Sequence, residues 1–300
     1  MIEPAKDFLL TLQNPDGGWG AERGRTSNTE ITSLAVLALS TVGAASFDEN
    51  IARGLSWLVD RQDKNGSFSL NTSVKESSWT TTLATFCFSH FETHRQRAIS
   101  GAHWLLGREG QRLSWRASLL YRLAPEKQNV KLNPDLKGWP WTSGSFSWVE
   151  PTAYALIALK KLKPYLSGTR VEERIQQGEL MIYDRMCKGG GWNYGNSKVF
   201  GEDLWPYPDI TALALIALQG RQTAEAHQLS LTSLTKMLTQ TESGLSLSWS
   251  ILCFSLYGHD TSKWKKLLAR NFKKTGFLGE TKATALALLA LGKGAEIFRV

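Results

Sequence analysis

The sequence predicts one all-helical domain over residues 1–300, in which about six to seven helical hairpins close into a ring. Three observations carry that expectation. A turn motif, Gln13-Asn14-Pro15-Asp16-Gly17-Gly18-Trp19, recurs in outline at Gln62, Gly66 and Phe68. A threonine follows each aromatic by thirteen residues, Thr32 after Trp19 and Thr81 after Phe68, which sets a period of 49 residues. Each such threonine opens an apolar stretch at helical spacing, and no run alternates with the period of a strand. A period near 50 residues with two helices per unit belongs to a solenoid or a closed helical ring.

Taken in order, the threonine-led segments are Thr32 to Leu39, a looser copy from Thr81 through Ala84, Thr152 to Leu159, Thr211 to Leu218 and Thr284 to Leu291. They are apolar on nearly every face, as helices buried on all sides are. They form the expected inner layer. Two further segments, Trp115 to Leu120 and Trp249 to Phe254, read as inner helices that lack the threonine, so inner helices are expected to start near residues 30, 79, 115, 150, 209, 249 and 282. Between them, Ile51 to Arg61, Val171 to Met186 and Ala224 to Leu238 alternate apolar and charged residues as an outer layer does.

Composition narrows the class modestly. Hydrophobic residues make up 42% of the chain and its mean hydropathy is −0.24. No apolar run reaches the roughly 18 residues that span a bilayer. Met1 to Leu12 lacks the layout of a signal peptide, so a cytoplasmic location is expected. Cys87, Cys187 and Cys253 are odd in number and far apart, and read as buried free thiols. The formal charge of +8 suits anionic substrates, anionic lipid, nucleic acid or solubility alone. No nucleic-acid motif is present, and nucleic acid is not expected as a partner. The densest basic patch, Lys263 to Lys274, places Trp264, Leu267, Leu268 and Phe272 near one stripe; it reads as an outer helix or as a peripheral contact with the inner membrane surface.

Aromatic and acidic residues gather at the expected inner-helix starts. Trp79, Trp115, Trp148, Trp205 and Trp249 stand there, with Tyr207 beside Trp205. In a closed ring these ends converge, either to plug one mouth or to line a site whose ring faces attract a developing cation. Two positions before the register threonine lie Glu30, Glu150 and Asp209, with Trp79 and Lys282 in the equivalent places. Glu30 reads as a helix-capping acid. Glu150 and Asp209 lie in rigid segments, Trp148-Val149-Glu150-Pro151 and Trp205-Pro206-Tyr207-Pro208-Asp209, that hold a side chain in place. Both are candidate catalytic acids, and helix capping is the other reading of each. His90 and His94 stand one turn apart near a predicted helix end, where a positive charge is favoured.

These motifs, with a degenerate copy at Met186 to Trp192, resemble the squalene–hopene cyclase and protein prenyltransferase superfamily over nearly the whole chain. The resemblance implies an α/α toroid, with inner helices around a central apolar cavity and Gln–Trp motifs tying the ends of outer helices to the adjoining turns. It also implies that Glu150, followed by Pro151-Thr152-Ala153, stands where the proton-initiated cyclases carry the acid of an Asp-x-Asp-Asp motif, with Pro151 in place of an Asp. Asp209-Ile210-Thr211-Ala212 matches equally. The zinc-binding Asp, Cys and His of the prenyltransferases have no counterpart, so neither metal nor cofactor is expected.

The expected function is accordingly cyclase-like: Glu150, with Asp209 as second acid or relay, protonates an isoprenoid or similar apolar substrate held by Trp79, Trp115, Trp148, Trp205, Tyr207 and Trp249. A toroid that binds a lipid, a polyprenyl chain or a protein without catalysis is the alternative. An atypical transferase or hydrolase on the same scaffold is the third reading.

Overall fold

Thirteen helices are present in the computed structural model, which describes residues 1–42, 48–124, 127–220 and 224–300. Six of them are buried on nearly all sides: α2 (Thr29–Ser40), α4 (Thr80–Ser89), α7 (Val149–Leu162), α9 (Pro208–Ala217), α11 (Gly244–Leu256) and α13 (Thr281–Leu291). Each packs on the next in that order, and α13 returns to α2, which closes an inner ring of six. Six outer helices are α1 (Ile2–Thr11), α3 (Asp48–Arg61), α5 (Arg95–Leu106), α8 (Arg170–Asp184), α10 (Ala224–Met237) and α12 (Ser262–Thr275). They back onto α13, α2, α4, α7, α9 and α11 respectively. The fold is an all-α toroid, and residues 198–203 add a two-stranded hairpin, β1 (Lys198–Val199) with β2 (Glu202–Asp203).

The thirteen-residue spacing has a direct cause. The backbone N–H of Trp19 donates to Thr32 Oγ1 at 2.9 Å, Phe68 to Thr81 and Trp139 to Thr152 do the same at 2.9 Å, and Trp192 makes the equivalent bond to Thr211 across nineteen residues. These four register threonines therefore anchor the turn that precedes their own helix, whereas Thr284 Oγ1 donates to the carbonyl of Glu280. The indole N–H groups of Trp19, Trp139 and Trp192 reach the carbonyls of Leu9, Leu105 and Ile182. Gln13 Nε2 donates to the carbonyls of Gly17 and Asn50, and Gln62 Nε2 to those of Gly66 and Arg97. Each glutamine thus joins its own turn to the start of the next outer helix. Gly17 and Gly66 have φ of 92° and 89°, and a Cβ there would lie 2.8 Å from Arg53 O and 2.2 Å from Ser100 O. Only glycine fits both the left-handed backbone and the close approach.

A second set of backbone bonds runs around one end of the ring. The N–H groups of Thr29, Trp79, Val149 and Thr281, all at inner-helix starts, donate to the carbonyls of Leu70, Trp141, Tyr194 and Ala21. Each acceptor lies two residues past the motif aromatic of a neighbouring unit. The bond from Thr281 to Ala21 joins the last inner helix to the first turn and closes the series.

Two expected inner helices differ. The segment at Trp115 forms α6 (Trp115–Leu123), which has no buried residue and belongs to neither layer; Trp115 is 72% exposed. Its Arg116 and Arg122 leave no face apolar all round, and the Thr152 unit draws its turn from Gly138-Trp139. The helix expected at Trp249 starts at Gly244, capped by Ser243 accepting from Ser246 N, so Trp249 sits inside α11. Six hairpins result, the lower of the expected numbers.

The basic patch is corrected as well. In α12, Trp264 and Leu268 are buried and Leu267 and Phe272 are partly buried, so the apolar stripe is already covered by the protein and supports no membrane contact. Among the described residues no helix is long and apolar enough to cross a membrane. All three cysteines are buried and free. His90 and His94 have their pKa values lowered, first by burial and then by Lys161 and Arg97 respectively, which is opposite to a site favouring positive charge.

Candidate functional site

The register positions two before the threonines meet at the mouth formed by the inner-helix N-termini. Lys282 Nζ, on α13, lies 2.6 Å from Glu30 Oε1 on the adjacent α2 and 3.9 Å from Glu150 Oε1 on α7. α13 and α7 stand opposite each other in a ring of six, so Lys282 reaches across the mouth. Asp209, on α9, accepts a hydrogen bond from Tyr194 OH at 2.9 Å. Glu150 and Asp209 are both buried.

Neither acid caps its own helix. The residues before α7 and α9, Trp148 and Tyr207, make no side-chain cap bond, and among the described residues no backbone N–H donates to Glu150 or Asp209. Glu30 does not cap either: Asn28 accepts from Ile31 N at the start of α2, and Glu30 is turned to Lys282. The capping expectation for Glu30 is therefore overturned by a cation that the register itself supplies.

Burial governs the electrostatics. It pushes the Glu150 carboxyl up to about 7, against the attraction of Lys282 and with added repulsion from Glu30 and Asp209. For Lys282, burial alone would lower the pKa; the carboxylates of Glu30 and Glu150 overcome it and raise the value. Tyr154, one helical turn beyond Glu150 on the same face, is 2% exposed, and among the described residues its hydroxyl has no hydrogen-bond partner. Burial, then Glu150, Glu30 and Asp209, hold its pKa well above that of an ordinary phenol. Burial, then Asp209, raises Tyr194 likewise.

Below the charges the lumen holds a column of rings. Trp79 stacks on Tyr154 with centroids 6.0 Å apart, Tyr154 meets Trp249 at 5.9 Å, Trp249 meets Phe298 at 5.4 Å, and Phe298 meets Phe86 at 5.0 Å. Phe86 on α4 and Trp249 on α11 face each other across the ring, so Phe298, brought in by the turn Gly294–Phe298, bridges its interior. The carbonyl of Phe298 accepts from Gln219 Nε2 at 2.8 Å. The site therefore has a floor made by the chain itself.

The rim is aromatic and open. Trp205 is 85% and Tyr207 52% exposed on the segment entering α9, and Tyr194 packs on Tyr207 at 5.7 Å. Trp148, half-exposed at the start of α7, forms one wall of a groove of about 200 Å³ with Phe146, Tyr121 and Arg185. Trp79 and Trp141, in edge contact at 4.7 Å, line a second cavity of about 90 Å³ with Trp104 and Arg108. Of the residues expected to hold a substrate, Trp79, Trp148, Trp205 and Tyr207 thus stand at the mouth and Trp249 in the lumen. Trp115, on α6, does not join them.

Sequence reasoning assigns no role to Lys282, Tyr154, Tyr194 or Phe298. Lys282 carries a signal, since it occupies the acidic register position, and Tyr154 lies one turn after Glu150.

No protein-family model matches the chain. Among curated proteins, the squalene–hopene cyclase of Zymomonas mobilis is 34% identical over 76 residues, covering 22% of this chain and 11% of that enzyme, so the chain spans only a small part of its relative. Among solved structures, the type II terpene cyclase MstE from Scytonema, in complex with geranylgeranyl dihydroxybenzoate, has a TM-score of 0.58 at 16% identity and covers 99% of this chain and 96% of its own. The fold is terpenoid-cyclase-like. The same scaffold is shared with an alpha-1,6-mannanase of Salegentibacter sp. HEL1_6 (TM-score 0.64, 10% identity, 99% and 98% covered) and an alpha-amylase from Clostridium perfringens (0.62, 14%, 97% and 97%). A terpenoid-cyclase-like ring therefore fixes where the mouth lies and leaves the reaction to the residues in it.

Proposed function

We propose that the chain is an acid-initiated isoprenoid cyclase or isomerase, with Glu150 as the proton donor. The observation that carries this reading is a buried, uncapped carboxyl whose pKa is pushed up to about 7, one helical turn from Tyr154, whose ring packs with Trp79 and Trp249. A carboxylic acid that still holds its proton near neutrality is what protonation of an alkene requires.

In this reaction Glu150 gives its proton to one alkene carbon, and the π electrons form the new C–H bond. The other carbon becomes a carbocation, which the next alkene of the substrate attacks to close a ring. Trp79, Tyr154 and Trp249 offer ring faces to the positive charge. Lys282, 3.9 Å away, stabilises the carboxylate that Glu150 becomes. Loss of a proton next to the final cation restores a double bond, so the net change is an isomerisation, and Asp209 with Tyr194 provides a relay for that proton. The similarity to MstE and to part of a squalene–hopene cyclase supports an apolar, prenyl-bearing substrate.

The test is product analysis with farnesyl and geranylgeranyl compounds. Glu150→Gln should abolish cyclised products and retain ligand affinity. Full activity in this variant would remove Glu150 as the acid, and unchanged binding with no turnover in either protein would favour a lipid-binding toroid.

A second reading rests on the exposed rim. Trp205 and Tyr207 present open faces beside Asp209, an arrangement that suits stacking of sugar rings, and the mannanase and the amylase share the scaffold. In a hydrolase Glu150 and Asp209 would divide the acid and base roles. Binding and cleavage of alpha-1,6-manno-oligosaccharides, lost in Asp209→Asn, would favour it over the isoprenoid reading.

A further inference from the structure

Among the described residues the buried hydroxyl of Tyr154 has no acceptor. Its ring is fixed between Trp79 and Trp249, which leaves the phenol little freedom to turn elsewhere. The acidic groups that influence it are engaged: Glu30 with Lys282, and Asp209 with Tyr194. Glu150, the nearest in sequence, makes no hydrogen bond to it although both lie on one face of α7. A buried hydroxyl is almost always bonded, and one that is not calls for a functional account.

We infer that the substrate of this site is an isoprenoid bearing a hydrogen-bond-accepting oxygen, an alcohol, ether, epoxide or carbonyl, and that Tyr154 OH is the donor that receives it. This rests on the isoprenoid reading above and narrows it. The phenol is already out of water in the free protein, so a plain hydrocarbon leaves it unpaired whereas an oxygen at that point satisfies it. A site built to bond such an oxygen discriminates strongly against the analogue that lacks it. Trp79 and Trp249 hold the adjoining carbons on either side of the phenol, and Glu150 lies one turn away, so the oxygen also sets which part of the chain faces the acid. Tyr154 acts as a binding and positioning group, and its proton stays on the phenol because burial and the carboxylates disfavour ionisation.

The experiment compares two probes of one carbon skeleton, farnesyl methyl ether and farnesene, against the wild-type chain and Tyr154→Phe. Dissociation constants are read by native mass spectrometry and thermal shift. Wild type should bind the ether at least about tenfold tighter than the hydrocarbon. Tyr154→Phe should bring that ratio to near one by weakening the ether and leaving farnesene unchanged. Without ligand, Tyr154→Phe should melt no lower than wild type, because no hydrogen bond is lost. Equal affinity for the two probes in wild type, or a preference that survives in Tyr154→Phe, overturns the inference and leaves the isoprenoid reading standing. Binding of neither probe overturns both. A lower melting temperature for ligand-free Tyr154→Phe shows that the hydroxyl is bonded within the protein, which also overturns it.

Discussion

Replacing Glu150 by Gln separates the electrostatic cost of the acid from its chemistry, and the cost can be worked out in advance. Burial raises the folded-state pKa from 4.5 to about 7. In the unfolded chain the group titrates near the ordinary value of about 4.3. Between those two values the folded protein keeps the proton while the unfolded chain has lost it. The folded state then binds more protons, so stability falls as pH rises through this window and levels off above about pH 7. Each tenfold difference in proton affinity is about 1.4 kcal/mol, and the window amounts to about 4 kcal/mol. Gln cannot ionise. Glu150→Gln should therefore match wild type below about pH 4 and become more stable than it by about 4 kcal/mol at pH 7.5 to 8. Denaturant titrations of both proteins at half-unit pH steps measure the gap directly. A gap that stays constant with pH, or that widens toward acid, would falsify the claim that burial dominates the environment of this carboxyl.

Two further predictions test the surroundings. Lys282→Met removes the cation that opposes the shift of Glu150, so the pH at which stability levels off should move above that of wild type in the same titrations; a downward move would contradict the assigned pairing. Trp19→Ala empties a fully buried site and breaks the indole bond to Leu9, and should cost about 3–5 kcal/mol by denaturation without a selective loss of ligand affinity.

The ring is legible in the sequence because its defining contact is short-range. Thr32, Thr81 and Thr152 each lie thirteen residues from the N–H they receive, so the spacing survives as a pattern in one dimension. The acids at the mouth are legible for the same reason: Glu30, Glu150 and Asp209 inherit the register. What the register does not convey is which groups they meet. Lys282 shares the position and carries the opposite charge, yet its pairing with Glu30 and Glu150 exists only because the ring brings α13 beside α2 and across from α7. Tyr194 shares its register position with Ala21, Leu70 and Trp141, and only there does a hydroxyl stand within reach of an acid. Phe298 enters the lumen from a turn after the last helix, where no repeat points to it. α6 departs from the expected inner layer because an apolar pattern at helical spacing says that a helix forms and does not say what will cover it.

The bond from Thr281 to Ala21 has a consequence for the order in which the site comes into being. It joins residues separated by nearly the whole chain, and so do the contacts of α13 with α1 and α2. Such contacts form late, after the entropy of closing a long loop has been met. Without α13 the mouth would hold Glu30, Glu150 and Asp209 without the cation that Lys282 supplies to two of them. Lys282 travels on the helix that completes the circle. The acid is thus tuned by the same event that seals the ring, and a nascent chain still short of that helix has no assembled site in which to begin a reaction.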